Sequence, residues 1–108
     1  MKKIIFIIYI LYSNVLIADE RQSELDKLFN DLKINNTSLS FEAEQKIWKL
    51  WSTHPSDQKL TKLLSKGSDL VNNQKLNEAI IIFSKVIDLD PDWAEAWNKR
   101  ATVLYLIG

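Results

Sequence analysis

Apolar residues recur three and four positions apart over most of the chain, and turn chemistry sits where that rhythm breaks. Between Arg21 and Lys33, Leu25, Leu28, Phe29 and Leu32 share one side of a helix, which Asn35-Asn36-Thr37-Ser38 then interrupts. Ser40 stands as the cap of a second helix, with Glu42 and Glu44 near its positive end and Ala43, Ile47, Leu50 and Trp51 as its buried stripe. His54-Pro55-Ser56 ends it, and Ser56 caps a third helix carrying Leu60, Leu63, Leu64, Gly67, Leu70 and Val71 on one side. Asn72-Asn73-Gln74 reads as the following turn, because asparagine tolerates the left-handed backbone. Leu76, Ala79, Ile80, Phe83, Val86 and Ile87 mark a fourth helix, whose outward Ile81 and Ile82 point to a further packing surface. Asp90-Pro91 opens a fifth, with Pro91 at the first helical position, where its missing N–H costs nothing, and Asp90 as cap. That last helix carries Trp93, Trp97, Ala101, Leu104 and Tyr105. No segment alternates with the period of a strand, so the expected fold is all-α, built of antiparallel helix pairs.

The first eighteen residues have a different character. Lys2-Lys3 precedes the apolar run Ile4 to Leu11, and the stretch closes on the small Ala18 before Asp19-Glu20. This order reads as a signal-peptide helix over residues 1–18, cut after Ala18, and predicts a periplasmic or secreted mature chain. Leu16, two positions before the cut, departs from the small residue usual there and leaves open an uncut leader anchored in the inner membrane. An apolar stretch of about fifteen residues is short for a span.

Composition narrows the function. Apolar residues make up 46% and charged residues 26%, with two Gly and two Pro, which is the balance of a folded helical chain rather than a disordered one. The formal charge is zero, and without Lys2 and Lys3 there remain 12 basic against 14 acidic residues, interspersed along the helices. Nucleic-acid binding needs a basic stripe that displaces counterions, so no nucleic-acid partner is expected. The absence of cysteine excludes disulfides and thiolate metal sites. His54 is the one imidazole, placed in an interhelical loop as a solvated residue, so neither a Ser-His-Asp nor a Cys-His arrangement can be assembled. Asp88, Asp90 and Asp92 alternate as in a calcium loop but lack its glycine and closing glutamate, and two glycines cannot make a phosphate loop. Trp48, Trp51, Trp93 and Trp97 fall on or beside the helix-pairing stripes and read as core rather than as a stacking platform. The chain is therefore expected to be no enzyme and to carry no cofactor or metal.

A longer period organises the helices. Leu60 to Trp93 is a unit of thirty-four residues with Leu63, Gly67, Leu70, Ala79, Phe83 and Pro91 at positions four, eight, eleven, twenty, twenty-four and thirty-two. This resembles the tetratricopeptide repeat. The next unit begins at Ala94 and places Trp97 and Ala101 at positions four and eight; Ala43, Ile47 and Pro55 repeat the Ala79, Phe83 and Pro91 pattern thirty-six residues upstream. The chain thus reads as a leader (1–18), an N-terminal helix pair forming a degenerate unit (19–57), one full unit (60–93) and the first helix of an incomplete unit (94–108), as if truncated at its C-terminus. In this pattern Gly67 faces Ala79, so that two helices approach closely and larger neighbours fill the space beyond. Lys66 and Arg100, both at position seven, depart from the apolar residue usual there. The run from Asp90 to Thr102 is also similar to that of exported bacterial repeat proteins without an assigned activity.

The resemblance implies a right-handed superhelix whose first helices line a concave groove. It assigns groove contacts to Thr61, Leu64, Ser68, Val71 and Asn72 and to Glu95, Asn98, Thr102, Tyr105 and Leu106. A carboxylate clamp of Lys and Asn at positions five and nine, used by chaperone-binding relatives, is missing, since Leu64 and Ser68 stand there. The expected function is non-catalytic binding of a protein or peptide segment in the bacterial periplasm. An inner-membrane-anchored component, or a regulatory or substrate-presenting subunit of an envelope enzyme, stands as the alternative. Any membrane contact would run through the leader, and Trp97, Leu104 and Tyr105, without a covering helix, could pair two copies.

Overall fold

The computed structural model describes the backbone of residues 2–34 and 36–108 and the side chains of residues 17–34 and 36–108. It contains five helices, α1 (Lys2–Lys33), α2 (Thr37–Trp51), α3 (Gln58–Asn72), α4 (Leu76–Leu89) and α5 (Ala94–Ile107), and no strand among the described residues. The all-α expectation is met. The chain divides into two compact units, Met1–Leu50 and Trp51–Gly108.

In the first unit the helix predicted over 21–33 ends at Lys33 as expected but is continuous with the residues before it. The side chains of residues 1–16, on which the leader reading rests, lie outside the described residues, as does Asn35. Among the described residues no helix is long and apolar enough to cross a membrane. The Arg21 guanidinium on α1 donates to the Leu50 carbonyl in the last turn of α2. Leu28, Ala43 and Ile47 are buried. The cap of α2 is Asn36 rather than Ser40: its side-chain oxygen accepts the Leu39 N–H at 3.1 Å, while the Ser40 hydroxyl donates to the Ile34 carbonyl at 3.4 Å. The helix starts one turn earlier because asparagine at its threshold satisfies a free amide that Ser40, already inside, cannot.

In the second unit α4 packs on α3 and on α5, and α3 also touches α5. Their shared core is Leu60, Leu64, Ala79, Phe83, Val86, Ile87, Trp93, Ala96 and Val103, with Leu63, Leu70 and Ile80 packed against it. Gly67 is buried, and the atoms that close on it are those of the Phe83 ring: a Cβ built there would meet Cε1 at 2.4 Å and Cδ1 and Cζ at 2.8 Å. The expected close approach is present, and the ring rather than Ala79 presses on the glycine.

Three junctions differ from expectation. Asp57, not Ser56, caps α3, its carboxylate accepting the Lys59 N–H at 2.9 Å. The turn after α3 places Gln74, not an asparagine, at positive φ (62°). The Lys75 N–H reaches the Leu70 carbonyl at 2.8 Å and the Gln74 N–H the Val71 carbonyl at 3.0 Å, the paired bonds of a Schellman termination. Position in that hydrogen-bond pattern, more than residue type, selects the left-handed residue. Finally, α5 begins at Ala94 with Trp93 as N-cap, so Pro91 lies in the preceding turn and not at the first helical position. Asp90 terminates α4, its N–H bonded to the Val86 carbonyl at 2.9 Å, and its carboxylate holds the Asp92 N–H at 3.1 Å.

Candidate protein-interaction site

The residues assigned to a groove divide into three kinds. Leu64 is 1% exposed and Glu95 7%, so both belong to the interior of the second unit and offer little surface to a ligand. The hydroxyls are occupied within the chain: Thr61 Oγ1 accepts the His54 N–H at 2.8 Å, Ser68 donates to the Leu64 carbonyl at 3.3 Å, and Thr102 donates to the Asn98 carbonyl at 2.9 Å. Asn72, Asn98 and Tyr105 are exposed, and Val71 is half-buried. Of the assigned residues, Asn72 and Val71 on α3 and Asn98 and Tyr105 on α5 thus keep surface, and side chains of these types can hydrogen-bond a peptide backbone and pack its side chains.

Glu95 sits in the first turn of α5, where the helix dipole favours a carboxylate. Lys99 approaches its Oε1 at 3.7 Å, too far for a hydrogen bond, and that oxygen has no other partner.

The signature residues separate in the same way. Gly67, Ala79 and Phe83 are buried and Leu63 and Leu70 half-buried, whereas Pro91, Trp97 and Ala101 are exposed. Trp97 is 46% exposed, and its indole N–H donates to the Pro91 carbonyl at 2.8 Å. Arg100 lies 4.8 Å from the centre of that ring and donates to Ser84 Oγ on α4 at 3.3 Å, so it ties α5 to α4 through its polar head. Leu104, Tyr105, Leu106 and Ile107 are also exposed, leaving the last turn of α5 apolar and open. Of the four tryptophans only Trp93 is buried; Trp48 and Trp97 are exposed, which corrects their reading as core.

His54 is the residue that sequence reasoning misplaced. Its side chain is 10% exposed, and its ring stands edge-on to Trp93 with centroids 4.9 Å apart and planes at 84°. Nδ1 accepts the backbone N–H groups of Ser56 at 3.1 Å and Asp57 at 2.9 Å, so the ring proton sits on Nε2 and is donated to Asp90 Oδ2 at 2.6 Å. That hydrogen bond, helped by the Asp92 N–H against the effect of burial, holds the Asp90 carboxyl below its ordinary value of 3.8. The pair clamps the loop before α3 to the turn after α4.

The chain is 32% identical over 89 residues to a TPR repeat-containing protein of Rhizobium etli, an alignment covering 81% of this chain and 43% of that relative. The chain thus spans less than half the length of the curated relative it matches. No family model and no solved structure matches it. With the repeat spacing, the five helices and this relative in agreement, the chain belongs to the tetratricopeptide-repeat family.

Proposed function

We propose that the protein is a non-catalytic scaffold of the bacterial periplasm, whose repeat helices, arranged as part of a right-handed superhelix, hold a segment of a partner protein along α3 and α5. The observation that carries this reading is the contrast among the candidate groove residues: the hydroxyls are bonded inside the chain, while Asn72 and Asn98 stand exposed beside Val71 and Tyr105. Exposed amides on two helices can bond an extended backbone, and Tyr105, 85% exposed, supplies an anchor of large contact area. A photo-crosslinking residue placed at Asn98 or Tyr105 is expected to capture one partner in the native host, and one placed at Glu78 is expected to capture none. Equal adducts at all three positions would remove the groove.

Export through the Met1–Ala18 leader predicts a mature N-terminus at Asp19 in the soluble envelope fraction. Leu16 favours a second reading, in which the leader stays uncut and the chain is held at the inner membrane; recovery of full-length chain only with membranes selects this anchored form. In either form the chain can serve as the regulatory or substrate-presenting subunit of an envelope complex.

A further inference from the structure

The seam between α3 and α4 forms an open groove of about 550 Å³, and it lies away from the candidate peptide site. Leu60, Leu63 and Leu89 are its apolar lining, and Lys59, Lys62, Lys66 and Lys85 line it as well. At the helical repeat, Lys59, Lys62 and Lys66 share the stripe of α3 opposite to Thr61, Ser68 and Asn72. Four of the six lysines in residues 51–108 thus gather at one groove, a concentration that interspersed surface charge does not produce. The only carboxylate lining it is Asp57, which is engaged as the cap of α3. None of the four lysines forms an ion pair among the described residues.

This placement works against the helix that carries it. Like charges three and four residues apart repel, and cations near the start of a helix oppose its dipole. Asp57 caps the start of α3, but among the described residues no carboxylate pairs with these lysines, while Leu89, part of the groove lining, remains 61% exposed. An anionic partner with apolar side chains would relieve both conditions.

We propose that the α3–α4 groove docks an acidic amphipathic segment of a partner protein, with aliphatic side chains against Leu60, Leu63 and Leu89 and Asp or Glu residues against Lys59, Lys62, Lys66 and Lys85. A protein segment fits better than a bilayer, because Leu60 is buried and Leu63 half-buried in the lining of a concavity, out of reach of a flat lipid surface. It fits better than nucleic acid, because no aromatic ring lines the groove to stack a base. This inference goes beyond the Asn72–Asn98 surface and concerns the other side of α3.

The test uses the full chain and a fluorescein-labelled peptide of about twelve residues, with Leu at three-and-four spacing and Glu elsewhere, followed by fluorescence anisotropy. Binding is expected to weaken about tenfold in Lys62→Glu/Lys66→Glu and severalfold in Leu89→Ser, to fall with added salt, and to change less than about twofold in Lys75→Glu, outside the groove. The pair Lys62→Gln/Lys66→Gln, which removes charge without reversing it, is expected to weaken binding about threefold and serves if the reversal disturbs folding. The proposal is overturned if these lysine variants bind the peptide like the parent, or if a peptide with Ser in place of Leu binds equally well. It is also overturned if phosphatidylglycerol vesicles or a single-stranded oligonucleotide bind more tightly with the same lysine dependence. Because none of these substitutions touches Asn72, Asn98 or Tyr105, failure here leaves the groove crosslinking result to stand or fall by itself.

Discussion

The two units share a motif and differ in how far they enclose it. Ala43 and Ile47 on α2 repeat the spacing of Ala79 and Phe83 on α4, and all four are buried. In the second unit α4 has a helix on each side, and nine buried residues join into one cluster. In the first, Leu28, Ala43 and Ile47 are buried, while Phe41 and Ile34 lie more than half exposed. A helix pair can cover one stripe of each helix but not both faces, so a repeat gains enclosure from its neighbour rather than from its own sequence. The same small-then-large signature therefore has a different energetic weight in the two places.

The contrast is broken most directly by truncating the equivalent large residues. Phe83, 1% exposed, is expected to cost about 3–5 kcal/mol as Phe83→Ala, a large part of the stability of a small domain. Ile47→Ala should cost about 2 kcal/mol, at the low end for its type, because a less enclosed site can collapse around the loss. Urea denaturation followed by far-UV circular dichroism measures both, and equal costs would show that the units are equally well packed.

Adding volume probes the close contact of the second unit. Gly67→Ala brings a methyl group to 2.4 Å from a ring atom of fully buried Phe83, and Ala79→Leu overfills a site with no exposure. Each is expected to destabilise by about 1–3 kcal/mol, which for Gly67→Ala exceeds the gain of about 1 kcal/mol in helix propensity. If the ring is the obstacle, Gly67→Ala should cost much less in a Phe83→Leu background, and a double-mutant cycle reads that coupling. Additive costs would place the strain elsewhere.

Helix positions and the core stripe of α3 and α4 were legible in the sequence because periodicity and small-residue spacing are local properties. Caps were less so. Ser40 and Ser56 are good capping residues, but Asn36 and Asp57 lie at the helix thresholds and take the free amides. Pro91 suits a first helical position, yet the Asp90 carboxylate holds the Asp92 N–H and delays α5 to Ala94. Burial of Leu64 followed from its neighbours, while its assignment to a groove followed from repeat position alone. The His54–Asp90 contact joins residues thirty-six apart. A signal for it existed: each residue directly precedes the proline of its repeat, Pro55 or Pro91, and equivalent positions of successive repeats become spatial neighbours.

That clamp gives the second unit a pH dependence the first has no described counterpart for. Asp90 is held below its ordinary value of 3.8 when folded, so its contribution is fully present above that ordinary value and is lost as pH falls through the folded one. Asp90→Asn keeps an acceptor for His54 Nε2 but loses the charge, and is expected to cost about 1 kcal/mol at neutral pH. Thermal melts of parent and variant should differ by a constant amount down to about pH 5 and converge in more acid solution. A difference that stays constant through the whole acid range would mean that the carboxylate charge contributes nothing.

The smallest effect concerns the turn between α3 and α4, and it has the opposite sign. Gln74 adopts φ 62° because the bonds from Gln74 to Val71 and from Lys75 to Leu70 require a left-handed residue between them. A side chain with a Cβ loses about 1–2 kcal/mol in that conformation, and glycine avoids the loss at an entropic cost of about 0.5–1 kcal/mol in the unfolded chain. Gln74→Gly is therefore expected to stabilise the second unit by about 0.5 kcal/mol, Gln74→Asn by less, and Gln74→Val to destabilise it. The order Gly, Asn, Gln, Val in midpoint of denaturation tests the termination itself, because a side chain that acted through contacts would rank these residues by size, placing glycine last.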